Sequence, residues 1–296
     1  MATVKLYWDP EGLQLNSLGS NAFVRITDGD TPYVSTAIRL LSIDTPEVHY
    51  PGTSDPAKHD AKFQDLADWI KAGKVSIGAD LAAYLLPKLS TGRVGSLQKQ
   101  QGVAATQALQ QLIDTKLAKP NGGKREVFLV ASNQPFDQYG RLLAYASPQY
   151  TEAERMALSE KERATFNFMM IDSGWAASFP IYPSLPKYRD LVLMQASAQE
   201  AMDQKRGIWA DAATLAGYEF RMCYKLWDIT SQLLNGIKLS SAQRNNWIDR
   251  YCVDMTSREI FEPTDYHRVL PYNRVFVWSA DVSAAVAELN LVPPGG

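Results

Sequence analysis

The chain is poor in cysteine, carries no excess of either charge, and holds no long apolar run. Two cysteines, Cys223 and Cys252, in 296 residues exclude a disulfide framework, leaving two buried thiols or a single bridge. Thirty basic residues stand against thirty-two acidic ones, a formal charge of −2. No bulk positive field therefore announces a polyanionic partner, and any phosphate recognition has to be local. No stretch reaches the ~18 apolar residues of a membrane span, and the start, Met1 to Trp8, lacks the apolar run of a secretory leader. The expected compartment is the cytoplasm, with secretion left open for a processed N-terminus. What is present, 46% hydrophobic and 21% charged residues, suits a globular chain long enough for a sizeable core and two domains.

Strand-like segments come first, at Val4 to Trp8, Ala22 to Thr27 and Val34 to Ile43, rich in β-branched and aromatic residues. Asp28-Gly29-Asp30 lies between two of them as a hairpin turn. Helical spacing follows at Asp60 to Lys71, Asp80 to Leu86 and Val103 to Leu117. Glu126 to Ala131 and Arg141 to Ala146 read as a second strand pair. Thr151 to Arg163, Phe166 to Asp172 and Tyr188 to Lys205 read as helices. Beyond Trp209, Ala213 to Leu234 and Ser241 to Met255 look helical and Arg274 to Trp278 strand-like. Strands followed by helices around one antiparallel sheet imply an α+β protein.

Ile38-Arg39-Leu40-Leu41-Ser42-Ile43-Asp44-Thr45-Pro46-Glu47 carries the chemistry. It sets a guanidinium at the start of a strand and two carboxylates at its end, where the proline fixes the turn. Phosphodiester cleavage needs a group that activates water, a hard cation for the phosphate oxygens, and fixed donors for the charge of the transition state. Glu47, Asp44 and Arg39 match those three tasks; arginine suits the last because its planar fork stays charged and donates twice. Asp137-Gln138-Tyr139-Gly140-Arg141-Leu142-Leu143-Ala144-Tyr145 adds a second arginine at the start of another expected strand.

Together these two motifs resemble the staphylococcal nuclease family, in which both occur in this order. Gln101 to Ala105, Asp172-Ser173-Gly174-Trp175-Ala176, Ser197 to Ala201 and Gly207-Ile208-Trp209 resemble further segments of it. The likeness covers residues 1 to 212, with insertions at 51 to 98 and 148 to 165, and leaves 213 to 296 as a mainly helical extension of no known family. It implies a five-stranded OB-fold-type barrel with packed helices. The implied activity is a calcium-dependent nuclease acting on single-stranded DNA and RNA with little sequence preference. The resemblance makes Glu47 the general base, Arg39 and Arg141 the phosphate clamps, and Asp44 with the Thr45 carbonyl ligands of Ca2+. It sets Tyr139 on a terminal phosphate and Tyr182 beside the base.

One departure concerns the second metal carboxylate. Asp28-Gly29-Asp30-Thr31 has the family's composition, but only seven residues separate Thr31 from Arg39, too few for two strands and a turn. Asp30, Asp9 or Glu11, and a carboxylate-free position near Gly19-Ser20-Asn21 all remain candidates. The alternative function is a non-catalytic module that binds nucleic acid or protein on the same barrel, with residues 213 to 296 available to a protein partner. His49 and His59 beside Asp60 read as solvated loop histidines rather than a transition-metal site. Lys119, Lys124 and Arg125 read as a solvated loop end, and Tyr218, Phe220, Tyr224, Trp227, Trp247 and Tyr251 as core.

Overall fold

A computed structural model describes residues 21–295. Val4 to Trp8, Asp9, Glu11, Gly19 and Ser20, on which expectations were placed, lie outside the described residues. The described residues divide into two compact units, 21–39 with 131–144, and 40–130 with 145–295.

In the first unit β1 (Ala22–Ile26) pairs antiparallel with β2 (Pro32–Ser35), with a register shift between Phe23 and Arg25. Asp28-Gly29-Asp30 forms the hairpin turn, as expected, and Thr27 N donates to the Thr31 carbonyl at 3.2 Å. The strand expected over Val34 to Ile43 is interrupted, continuing as β3 (Ile38–Leu40) and, in the second unit, β4 (Ile43–Asp44). Ser42 between them takes a φ of 58°, a left-handed turn that no strand accommodates.

In the second unit α1 (Asp60–Lys71) and α2 (Ala79–Leu89) follow their apolar spacing. The next helix, α3 (Val94–Leu117), starts nine residues before the expected Val103. Its first turn is capped from far upstream: Asp60 Oδ1 accepts from Gly95 N at 2.6 Å and Ser96 N at 3.0 Å. Such a cap satisfies donors that the helix itself leaves open. Then come β5 (Val127–Phe136) and β6 (Leu142–Pro148), whose residues are divided between the two units. In α4 (Glu152–Ala157), capped by Thr151 and Glu154, the helix stops short of the expected Arg163. The family-like segment closes with α5 (Phe166–Asp172), β7 (Ala177–Ser178), β8 (Ile181–Tyr182) and α6 (Tyr188–Asp203).

The C-terminal segment is α7 (Gly217–Leu234), α8 (Ser241–Asn245), β9 (Arg250–Asp254), β10 (Ile260–Phe261), β11 (Arg274–Trp278) and α9 (Val282–Leu289). The helix expected over Ser241 to Met255 is corrected to a short helix and a strand. Residues 250–254 have β11 on one side and β10 on the other, and pairing on both edges overrides the helical spacing.

The α+β class holds, but the described residues form no closed five-stranded barrel. They make four sheets, β1-β2, β3-β6-β5, β4-β7 and β10-β9-β11-β8. A barrel needs each strand paired on both sides; here β1 and β2 pair only with each other, and β4 turns to β7 after the kink at Ser42.

The largest core belongs to the second unit. It joins Phe63, Leu66, Leu81 and Leu85 of the 51 to 98 insertion to Phe220, Cys223, Leu226, Cys252 and Phe276 of the C-terminal segment. Parallel pairing of β8 with β11, Tyr182 opposite Val277, ties the family-like segment to the C-terminal sheet. Both cysteines are buried thiols. Tyr218, Phe220 and Trp247 are buried as expected, while His59 is buried where a solvated loop was expected. It packs edge-on against Tyr224, and Nε2 lies 3.0 Å from Ser54 Oγ. No described helix is long and apolar enough to cross a membrane.

Candidate active site

Strand β4 delivers Asp44 to the core edge, opposite Ala177 of β7, where its side chain is almost fully buried. Pro46 turns the chain, and Glu47 follows half-buried. Helix α3 grips this loop at three points. Lys99 Nζ donates to the Val48 carbonyl at 2.9 Å. The Gln98 amide accepts from Glu47 N at 2.8 Å and donates to the Leu215 carbonyl at 3.2 Å. At Gly102 a Cβ would stand 2.8 Å from the Glu47 backbone carbonyl, so the close approach requires glycine. The neighbouring Gln101 donates to the Ile208 carbonyl at 3.1 Å and Thr214 Oγ1 at 2.7 Å, which ties two of the family-like segments together.

Helix α7 holds the loop as well. Gly217 and Arg221 are four residues apart and share one helix face. A Cβ on Gly217 would come within 2.4 Å of the Thr45 carbonyl oxygen and 2.6 Å of Asp44 Oδ2, so the first turn of α7 lies directly on the acidic loop. Arg221 Nη2 donates to Asp44 Oδ1 and Oδ2 at 3.1 and 3.2 Å, and Nη1 donates to Glu47 Oε1. Burial alone would lower the pKa of Arg221; the charges of Asp44 and Glu47 outweigh it and raise the pKa. Arg250 of β9 lies against the rings of Phe179, Phe276 and Trp278, with its charge in range of both Arg221 and Asp44.

Arg221 is a functional candidate that motif reading missed. It lies outside the two motifs, on a helix whose aromatic spacing signals only core. The one local signal is a glycine at the start of an otherwise large-residue helix, where a backbone must pass close.

In the first unit Arg39 is a half-buried residue of β3. Residues 137–140 form a turn closed by Gly140 N to the Asp137 carbonyl at 2.9 Å. Asp137 orients Arg141: Oδ1 accepts from Arg141 N at 3.0 Å and Oδ2 from Nε at 2.8 Å. Burial raises the pKa of Asp137, but hydrogen bonds from Arg141 and Tyr139 bring it below the usual carboxylate value. Tyr139 is 71% exposed, with the Arg141 guanidinium 5.4 Å from its ring centre. Asp30 is exposed in the hairpin turn and accepts from Thr31 Oγ1 at 3.0 Å. Tyr182, in the second unit, is buried in a core with Val253, Val275 and Val277. Its hydroxyl donates to Glu288 Oε2 at 2.7 Å. That bond, then burial, pushes its pKa up to about 12.

Asp44 and the Thr45 carbonyl are the oxygens expected to hold a calcium ion, with Glu47 two residues further along the same loop. Among the described residues, however, no three His, Cys, Asp or Glu side chains gather as a metal-binding group. A guanidinium already bridges the two carboxylates. Calcium asks for six to eight oxygens, and this donor set does not fit one as it stands.

The family model for staphylococcal nuclease homologues matches residues 37–211, more than half of the chain. Endonuclease YhcR of Bacillus subtilis (strain 168) is 20% identical over 264 residues, covering 86% of this chain and 15% of that protein. The chain thus spans about 15% of the length of that relative. Residues 1–211 are under three quarters of the chain, so that match continues into the C-terminal segment. With its two motifs and the segments joined through Gln101 inside the matched span, the chain belongs to the staphylococcal nuclease homologue family.

Proposed function

We propose that this chain is a nuclease that hydrolyses phosphodiester bonds in single-stranded DNA and RNA with little sequence preference. The observation that carries this reading is the Asp44-Thr45-Pro46-Glu47 turn, held by side chains of two helices inside a nuclease-family segment. Glu47 orients and deprotonates the attacking water. Arg39 and Arg141 bind the phosphate oxygens, and their fixed positive charge favours the more highly charged transition state. Asp137, which fixes the Arg141 fork, lowers the entropy lost when that fork meets phosphate. The exposed Tyr139 adds a hydroxyl to the same end of the substrate. Calcium dependence is what family likeness suggests, with Asp44 and the Thr45 carbonyl as ligands and Asp30 as a further carboxylate. A guanidinium already spans Asp44 and Glu47, and the roles of Glu47, Arg39 and Arg141 stand without the ion.

A non-catalytic nucleic-acid-binding reading draws its support from the same contact, since Glu47 is already engaged by Arg221. Cleavage of single-stranded DNA by the full chain, with Glu47→Gln alongside, separates the two. The nuclease reading expects the variant to lose about 100- to 10,000-fold in kcat with oligonucleotide binding retained. Wild-type protein that binds an oligonucleotide but never cuts it, with calcium or with chelator, overturns that reading.

A further inference from the structure

Two carboxylates at the end of a strand, one of them almost fully buried, cannot stay charged together without a positive partner. In this chain the partner is built in. Arg221 donates through one nitrogen to both oxygens of Asp44 and through the other to Glu47. The donation reaches across 177 residues of sequence. Gly217, one turn earlier, brings the start of α7 against the Thr45 carbonyl and Asp44 Oδ2, so the partial positive end of the helix faces the same carboxylate. A cation shared by Asp44 and Glu47 would need an oxygen of each at about 2.3–2.6 Å. The guanidinium lies between those oxygens.

We infer that Arg221 is the resident counter-cation of the Asp44–Glu47 pair, that it occupies the position a divalent ion would need, and that it positions Glu47 at the site. A soluble ion and Arg221 therefore compete for the same oxygens, and binding calcium requires Arg221 to leave. The arrangement also makes the C-terminal segment part of the site. The positioning role rests on the nuclease reading; the competition for oxygens does not.

The test titrates calcium chloride into the full-length protein, followed by calorimetry and by melting temperature, for wild type, Arg221→Gln, Arg221→Lys and the double variant Arg221→Gln/Asp44→Asn. Wild type and Arg221→Lys are expected to show no saturable calcium signal. Arg221→Gln, which removes one positive charge from the two carboxylates, is expected to melt lower and to gain calcium binding. At 100-fold excess over its dissociation constant, calcium then raises its melting temperature by about 5 °C or more, and Asp44→Asn removes that gain. Wild-type protein binding calcium as tightly as Arg221→Gln, or an Arg221→Gln that folds and gains none, overturns the inference. Should Arg221→Gln not fold, the wild-type and Arg221→Lys titrations decide it.

Positioning is read separately, from cleavage in chelator. Arg221→Lys keeps at least a tenth of the wild-type kcat with KM unchanged, whereas Arg221→Gln loses 100-fold or more in kcat. Equal losses in both variants overturn the positioning role. Absence of cleavage in every variant, with calcium as well as with chelator, sinks the nuclease reading and, with the calcium-binding results as expected, leaves the counter-cation standing.

Discussion

Glu219 lies on α7 two residues past Gly217, fully buried yet ionised. Burial would raise its pKa, but Lys88 and Arg274, and then the Tyr84 hydroxyl at 2.6 Å, bring it down to about 2. Arg274 is itself buried, donating to Tyr218 at 2.6 Å and to Glu219 at 3.2 Å. A carboxylate whose folded pKa lies below its unfolded value of about 4.3 stabilises the fold above that unfolded value. The stabilisation is lost as pH falls toward 2. From pH 5 to pH 3 this single group accounts for about 1–2 kcal/mol. Glu219→Gln leaves Arg274 and Lys88 without their anion and is expected to destabilise by about 3–5 kcal/mol at pH 7. Urea midpoints for wild type and variant should therefore converge as pH drops from 5 to 3. A gap that stays constant over that range would assign the ion pair no part in acid stability.

At the scale of elements, α3 tests how strictly the loop after β4 is positioned. Alanine normally favours a helix interior over glycine by about 1 kcal/mol. At Gly102 the added methyl carbon would meet the Pro46 and Glu47 backbone at 2.8–2.9 Å, and backbone yields less than a side chain. Gly102→Ala is thus expected to reverse the usual sign, destabilising by about 1–3 kcal/mol, and to lower kcat more than Glu47's distance along the chain suggests. Urea unfolding with single-stranded DNA cleavage checks both; a more stable variant of unchanged activity would show that the contact is slack. The same elements show what a sequence can disclose. Helices α1 and α5 and strand β11 fall on their expected residues because apolar spacing and caps such as Thr165 on α5 are local. The start of α3 was not legible, since its cap, Asp60, comes from 35 residues upstream. Strand β9 was not legible because its two partners lie later in the chain. Asp44, Glu47, Arg39 and Arg141 stand in compact motifs and could be named as candidates. Arg221 could not, because only the packing of α7 on the loop reveals its role.

For the molecule as a whole, the question is whether residues 213–296 can be removed. Family likeness suggests a nuclease domain that ends near residue 212, with a separable extension. The packing argues otherwise. Phe63 lies 4.8 Å from Phe220 between ring centres, and Trp69 stacks on Trp227 at 6.3 Å. Leu66, Leu81 and Leu85 share the same cluster, each at most 1% exposed. Fully burying one such side chain contributes about 1.5–3 kcal/mol, so exposing four or five removes as much as a whole domain's typical net stability of about 5–15 kcal/mol. A chain ending at Trp209 is therefore expected to bind a hydrophobic dye such as ANS, to show no cooperative urea transition, and to lose cleavage, because Asp44 and Glu47 part from Arg221. A sharp transition with a wild-type-like slope would instead make the extension a true appendage. If that truncated chain also cut DNA only with calcium, the ion would have taken over the place that Arg221 holds in the intact protein.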